Sequence, residues 1–207
     1  MNKDNYKIYI YVNIGLFLLI ALGYAAAVKP SELSAWISII TKSISAVVVI
    51  SFVFVKWLWR FKWFYPWLVP FPNLAGKWSG SIKTKYNNQQ LNIPLEVSIT
   101  QTFFQVTVRL KTGESQSISN GAYFPTDMDG KVTHLYYSYV NTPNQGIRDR
   151  SAIHYGSTRL DFDCYPVTEL TGEYWTTRQT VGNIELRRLC PKSPNPSKRN
   201  ASPLATE

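Results

Sequence analysis

The sequence predicts a membrane protein in which a two-helix transmembrane hairpin precedes an all-β, roughly eight-stranded antiparallel barrel. Two observations lead to this prediction. Two long apolar spans lie near the start of the 207-residue chain, and apolar residues recur at every second position from Gly76 onward. A transmembrane helix needs about 20 mostly apolar residues, whereas a period of two is typical of half-buried strands.

Residues 1–65 are predicted to form the transmembrane hairpin together with an interfacial segment. The span at about 8–28 holds no formal charge, and the span at about 33–55 holds one, Lys42. A cleaved signal peptide is the alternative for the first span, but its apolar core would be only about 7–15 residues long. A second span that follows so closely favours the hairpin.

Basic residues indicate how the hairpin is oriented. Its turn offers only Lys29, beside Glu32, whereas five basic residues flank the outer ends: Lys3, Lys7, Lys56, Arg60 and Lys62. Because basic flanks tend to stay in the cytoplasm, the N-terminus and the β domain are both predicted to be cytoplasmic.

The second span carries a polar stripe at helical spacing. Its members are Ser34, Ser38, Thr41, Lys42 and Ser45. One interpretation is that Lys42 snorkels to the interface while the hydroxyls bond their own backbone. The other is that Ser38, Lys42 and Ser45 face other subunits or water in an assembled state, and the sequence leaves both open.

Aromatic and basic residues crowd the segment that follows the hairpin, where amphipathic rings favour the headgroup level of a bilayer. The rings belong to Trp57, Trp59, Phe61, Trp63, Phe64, Tyr65 and Trp67. Residues 66–75, which contain Pro70 and Pro72, are predicted to be a short stiff connector. Residues 191–207 are rich in proline, serine and lysine, and are predicted to be a disordered tail.

Residues 76–190 are predicted to form the barrel, because regularly spaced short strands favour an antiparallel barrel or sandwich. About eight strands leave room for side chains or for one small ligand. The predicted strands lie at 76–84, 91–100, 106–111, 135–139, 153–155, 160–164, 170–176 and 184–188. Turn signals lie at 87–88, 111–113, 129–130 and 181–183. Because this domain has its own period-two core, we expect that the barrel needs no contact from the hairpin in order to close.

A lipocalin-like closure of the barrel is predicted from its first and last strands. Gly76-x-Trp78 opens the first strand, and Arg187 and Arg188 lie in the last. In such an arrangement a tryptophan closes one end of the barrel and an arginine lies over it through a cation–π contact.

Several functions are disfavoured by composition and motifs. The net charge is +9, but residues 76–190 carry twelve basic against ten acidic residues, so a broad DNA- or RNA-binding field is not supported. The chain has neither a P-loop nor a GxSxG nucleophile motif, and its cysteines and histidines lack metal-binding spacing. Asp161 and Asp163 share one strand face and are expected to be solvated. We therefore expect a receptor without catalytic residues, metal or cofactor.

Polar residues near one end of the predicted barrel suit a nucleotide ligand. Tyrosine rings can stack on bases, while arginine and threonine can donate hydrogen bonds to phosphates. The candidate ligand-binding residues are Tyr139, Asn141, Tyr174, Thr176, Thr177, Arg178 and Thr180. The alternative is that these are ordinary strand residues, because tyrosine and threonine favour strands.

Three motifs, combined with the hairpin, make the chain similar to a known family. They are Asn73-Leu74-x-Gly76-x-Trp78-x-Gly80, Tyr139-x-Asn141, and Tyr174-Trp-Thr-x-Arg178-x-Thr180-x-Gly182. With its two short N-terminal spans, the chain resembles the CD-NTase-associated protein 15 family, the two-pass transmembrane β-barrel effectors of CBASS anti-phage defence.

The resemblance implies an antiviral effector of the bacterial inner membrane. A partner nucleotidyltransferase would make a cyclic dinucleotide, which the barrel would bind as its ligand. The homo-oligomer formed on activation would then disrupt the lipid bilayer through its hairpins and kill the infected cell. A membrane-tethered, lipocalin-like carrier or scaffold that binds an apolar ligand is the alternative, and it predicts an apolar barrel interior.

Overall fold

The computed structural model describes residues 3–86, 89–127, 131–163 and 165–189. Two N-terminal apolar helices precede a closed, eight-stranded antiparallel barrel, which confirms the predicted fold class. The predicted tail and the turn signals at 87–88 and 129–130 lie outside the described residues.

The two helices, α1 (Lys3–Val28) and α2 (Leu33–Lys56), are each long and apolar enough to cross a membrane. A polar contact joins them, in which Ser51 Oγ donates a hydrogen bond to Asn13 Oδ1. Within α1, Asn13 Nδ2 donates to Tyr9 O at 2.7 Å. Hydrogen bonds between helices contribute to their association inside a bilayer. The Asn13–Ser51 contact was not predicted from the sequence.

Eight strands form a simple up-and-down meander in which β8 returns to pair with β1. Closure satisfies the backbone of both terminal strands and leaves no open sheet edge. The strands are β1 (Gly76–Tyr86), β2 (Gln89–Gln101), β3 (Val106–Thr112), β4 (Ser115–Tyr123), β5 (His134–Pro143), β6 (His154–Asp161), β7 (Glu169–Thr176) and β8 (Val181–Arg188).

Three details of the predicted strands are wrong. β4 was not predicted, the separate strands at 153–155 and 160–164 are the single strand β6, and the signal at 181–183 is not a turn, because β8 begins at Val181. The signals failed where the barrel wall is polar or small. Ser117 is the buried position of β4, and Gly156 and Thr158 are the buried residues of β6 before Leu160.

The barrel has a filled end and a hollow end. The filled end, called the proximal end because it lies beside the hairpin, holds large apolar side chains: Trp78, Val97, Ile99, Leu135, Leu160, Leu170 and Leu186. The guanidinium of Arg188 lies 4.6 Å from the ring centroid of Trp78, which confirms the lipocalin-like closure. Arg188 Nη2 also donates to Asn73 O at 2.8 Å.

Aromatic rings pack the hairpin against the proximal end. Phe103, in the β2–β3 loop, lies 5.5 Å from the Tyr9 ring of α1 and 5.7 Å from the Phe54 ring of α2. Trp59 and Phe71 contact the same phenylalanine at 6.3 and 5.8 Å. We call Tyr9, Phe54, Trp59, Phe71 and Phe103 the aromatic junction. That the barrel can close without these contacts stays a prediction.

The segment after α2 divides between this junction and the surface. Trp59 is buried, whereas three of its neighbours are exposed: Trp57, Trp63 and Trp67. Exposed tryptophans at the end of an apolar helix suit the headgroup region. Residues predicted to form the connector also bury apolar side chains, namely Leu68, Val69, Phe71 and Leu74.

Candidate ligand-binding cavity

A cavity of about 630 Å³ opens at the hollow end of the barrel, which we call the distal end. Ligand pockets in proteins usually measure about 300–1,000 Å³. A glycine in β6 makes room for the Tyr139 ring, which lines the cavity. A Cβ atom at Gly156 would lie 2.4 Å from the Tyr139 ring, so only glycine lets that ring lie against β6.

Three tyrosines contribute to the inner part of the cavity: Tyr137, Tyr139 and Tyr174. The rings of Tyr137 and Tyr139 lie 6.0 Å apart. Burial raises the pKa of Tyr137 to about 12 and also raises the pKa of Tyr139. Both phenols therefore stay neutral at physiological pH, and neither brings a negative charge that would repel an anionic ligand.

Hydroxyl and amide groups line the walls nearer the mouth. Asn141 Nδ2 donates to Ser115 Oγ at 3.0 Å and to Ser117 Oγ at 2.9 Å. The hydroxyls of Thr176 and Thr180 lie 2.6 Å apart. These contacts hold the side chains in place, so their remaining donors and acceptors are prearranged for a polar ligand.

The loop between β5 and β6, residues 144–153, contributes to the mouth and is tied to the turns on either side of it. Arg150 Nη2 lies 2.5 Å from Glu114 Oε1 in the β3–β4 turn. Arg178 Nη1, in the β7–β8 turn, donates to Ser151 Oγ at 2.9 Å. All four side chains line the cavity, so both arginines can reach a ligand that enters there.

The structure gathers most of the predicted ligand-binding residues around this cavity: Tyr139, Asn141, Tyr174, Thr176, Arg178 and Thr180. Thr177 does not line it. The Thr177 N–H and hydroxyl both donate to Tyr155 O, at 2.9 and 3.2 Å, so this residue fixes the β7–β8 turn to β6.

The polar stripe of α2 lies apart from the cavity. Ser38 is half-buried, whereas Lys42 and Ser45 are exposed. Thr41 Oγ1 donates to Ile37 O and Ser45 Oγ donates to Thr41 O, both at 2.9 Å. In the single chain these two hydroxyls therefore bond their own helix.

Several cavity residues were not predicted from the sequence, and they come from β4, from the loops and from the first position of β6: Glu114, Ser115, Ser117, Arg150, Ser151 and His154. No periodic pattern marks a loop residue, and β4 has no apolar alternation. Thr84 and Thr112 could have been found, because each continues the inward-facing alternation of its strand.

A second polar cluster lies at the proximal ends of β5 and β6, away from the cavity. Asp161 Oδ1 lies 2.7 Å from His134 Nδ1 and 3.0 Å from Arg159 Nε. The expectation that Asp161 is merely solvated is therefore wrong, and its charge raises the pKa of Arg159. In the described part of the chain, no group of three or more histidine, cysteine or acidic residues could hold a metal ion.

Comparison with known proteins identifies a family. A family model described as "Cap15, cyclic dinucleotide receptor domain" matches residues 69–188, a range that includes all eight strands and the cavity. The chain is also 27% identical, over 154 residues, to CD-NTase-associated protein 15 of Staphylococcus schleiferi, an alignment that covers 74% of this chain and 81% of that protein. The chain therefore belongs to the Cap15 family, which confirms the resemblance stated above.

Proposed function

We propose that this chain is a CBASS effector whose barrel binds a cyclic dinucleotide and whose hairpin then disrupts the inner membrane. The observation that carries the proposal is the cavity of about 630 Å³, which combines neutral tyrosines inside with Arg150 and Arg178 at its mouth. It lies within the region matched by the cyclic dinucleotide receptor family.

The lining supports a particular placement of the ligand. Bases stack on the rings of Tyr139 and Tyr174, as bases stack on aromatic side chains elsewhere. Phosphates lie near Arg178, because guanidinium groups make strong charge-assisted hydrogen bonds to phosphate. Asn141, Thr176 and Thr180 supply neutral polar contacts between the two. The ligand is bound and released rather than hydrolysed.

An apolar ligand fits this lining less well. The alternative carrier function predicts an apolar interior, and apolar side chains do line part of the cavity: Ile82, Leu91, Ile93, Leu110, Ile147 and Ile184. Hydroxyl and amide groups line it as well: Thr84, Thr112, Ser115, Ser117, Asn141, Thr176 and Thr180. Burial of such groups against an apolar ligand leaves hydrogen bonds unmade, which costs free energy.

Thermal melting of the full-length protein in detergent tests the proposed binding. A ligand present at 100 times its Kd adds about 2.7 kcal/mol to the free energy of unfolding. We expect stabilisation by at least one of cyclic di-AMP, cyclic di-GMP and cyclic GMP–AMP, with the ligand recovered intact by chromatography. If a fatty acid stabilises the protein and no cyclic dinucleotide does, the carrier function replaces this proposal.

The proposed orientation places the cavity in the cytoplasm. The basic flanks of the hairpin favour a cytoplasmic N-terminus and barrel. The junction holds the proximal end next to the hairpin, so the mouth at the distal end points away from the bilayer. A cyclic dinucleotide made by a partner nucleotidyltransferase can then enter from the cytosol.

Ligand-dependent assembly requires surfaces near the cavity that another copy can cover. Tyr155, Trp175 and Val181 are exposed apolar residues on adjacent strands near the distal end, and Thr177 bonds the first of them. A ligand shifts an assembly equilibrium only by binding one state better than the other. A contact between two copies beside the mouth would let the ligand bind the assembled state better than the single chain.

Within the membrane, we propose that Ser38, Lys42 and Ser45 face other copies after assembly. Replacing Lys42 with leucine should leave insertion and ligand binding unchanged but abolish ligand-triggered dye release from liposomes, because it removes the charge that would admit water. Lys42→Arg is the matched control and should retain dye release. Dye release by Lys42→Leu at the level of the unchanged protein would show that Lys42 only snorkels.

A further inference from the structure

Glu114 is the one acidic residue among the described residues that line the cavity. Its carboxylate is 2.5 Å from Arg150 Nη2. An acidic side chain at the mouth of the cavity repels an anionic ligand and so weakens its binding. Its presence there therefore suggests that the charge has another role. Resting on the proposed function, we infer that Glu114 occupies Arg150 in the ligand-free protein and must be displaced by a ligand phosphate.

The contacts across the mouth support this exchange. Glu114 bonds Arg150, the adjacent Ser151 accepts a hydrogen bond from Arg178, and Arg178 is a predicted phosphate contact. Both arginines thus have partners inside the protein when no ligand is bound. The partners differ in charge, because Ser151 is neutral whereas Glu114 is anionic. Only Arg150 is therefore held by an anion, and a ligand phosphate must compete with that anion for the guanidinium.

The backbone around Glu114 allows the side chain to move without loss of the loop. Glu114 O accepts from Asn144 N at 2.8 Å, and Asn144 Nδ2 donates to Gly113 O at 3.1 Å. These bonds join the β3–β4 turn to the β5–β6 loop independently of the carboxylate. The carboxylate can leave Arg150 while the mouth keeps its shape.

Exposure limits the size of the effect. The side chains of Glu114 and Arg150 are 60% and 66% exposed, and ion pairs this exposed are weak because water and salt screen them. A competitor of this strength raises the ligand concentration needed for binding by a few-fold without preventing binding. If activation kills the cell, as proposed, the higher ligand concentration needed for binding prevents activation by low background levels of ligand.

Isothermal titration of full-length variants with the best-binding probe among cyclic di-AMP, cyclic di-GMP and cyclic GMP–AMP tests the inference. Glu114→Gln should tighten binding by roughly two- to fivefold at low ionic strength, and by less as salt is added. The matched control is Glu185→Gln, which breaks the exposed Lys83–Glu185 pair (2.6 Å) on the outer face of the barrel. Its affinity should equal that of the unchanged protein.

A double-mutant cycle separates release of Arg150 from general repulsion. In an Arg150→Gln background, Glu114→Gln should no longer improve affinity. An equal gain in both backgrounds, or no gain in the single variant, contradicts the exchange while leaving the proposed function intact. Failure of the unchanged protein to bind any of the three probes contradicts the proposed function, and this inference with it.

Discussion

Replacing Arg178 with alanine is expected to weaken cyclic dinucleotide binding by roughly 1.5–3 kcal/mol, or about 10- to 150-fold. The guanidinium lies at the mouth of the cavity, where its contact to Ser151 (2.9 Å) holds it in reach of a ligand. Its loss removes charge-assisted bonds to phosphate. Titration of the full-length protein measures the change directly.

Arg187→Ala is the matched control for this experiment. Arg187 lies near the proximal end and pairs with Glu169 at 3.2 Å on the outer surface, so it shares the charge of Arg178 but not its position. Its removal should leave affinity unchanged. Unchanged affinity of folded Arg178→Ala would remove this arginine from the site.

Replacing Phe103 with alanine is expected to lower the free energy of unfolding by about 3–5 kcal/mol, as for other buried aromatic residues. Phe103 is only 3% exposed and contacts rings of both helices and of the segment before β1. Because the cavity lies at the opposite end of the barrel, ligand affinity should be retained. Ligand-triggered dye release should be lost, since binding is no longer coupled to the hairpin.

Two variants control for general destabilisation. Phe104→Ala removes an adjacent ring that is 51% exposed and should retain dye release. Phe103→Leu keeps much of the apolar volume and should melt between the unchanged protein and the alanine variant. Dye release by Phe103→Ala equal to that of the unchanged protein would show that the junction only stabilises the fold.

The helices and most strands could be predicted because burial imposes a period on the sequence. Trp78 and Leu186 follow an alternation that the barrel core requires. Residues 8–28 form the kind of uncharged span that a helix needs in order to cross a bilayer. The cavity wall is different. Ser117, Gly156 and Thr158 are the buried positions of β4 and the first half of β6, so the apolar alternation is interrupted in these two strands. It continues in β1 and β8, where Ile82 and Ile184 line the cavity.

The mouth and the junction depend on contacts that sequence patterns do not carry. Glu114 and Arg150 are 36 residues apart, and each lies between strands, where no period relates them. Phe103 lies in a four-residue loop and appears in sequence as one more aromatic residue. Only the register of the closed barrel shows that this ring faces the hairpin while both charged residues face the cavity.

An even number of antiparallel strands brings the chain back to the end of the barrel where it entered. Leu189 N donates to Lys77 O at 2.8 Å, and Arg188 bonds the segment before β1. The described chain therefore leaves the barrel on the hairpin side, opposite the mouth. A fluorescent reporter joined directly after Leu189 would therefore start on the hairpin side of the barrel, and its linker would not begin at the ligand entrance.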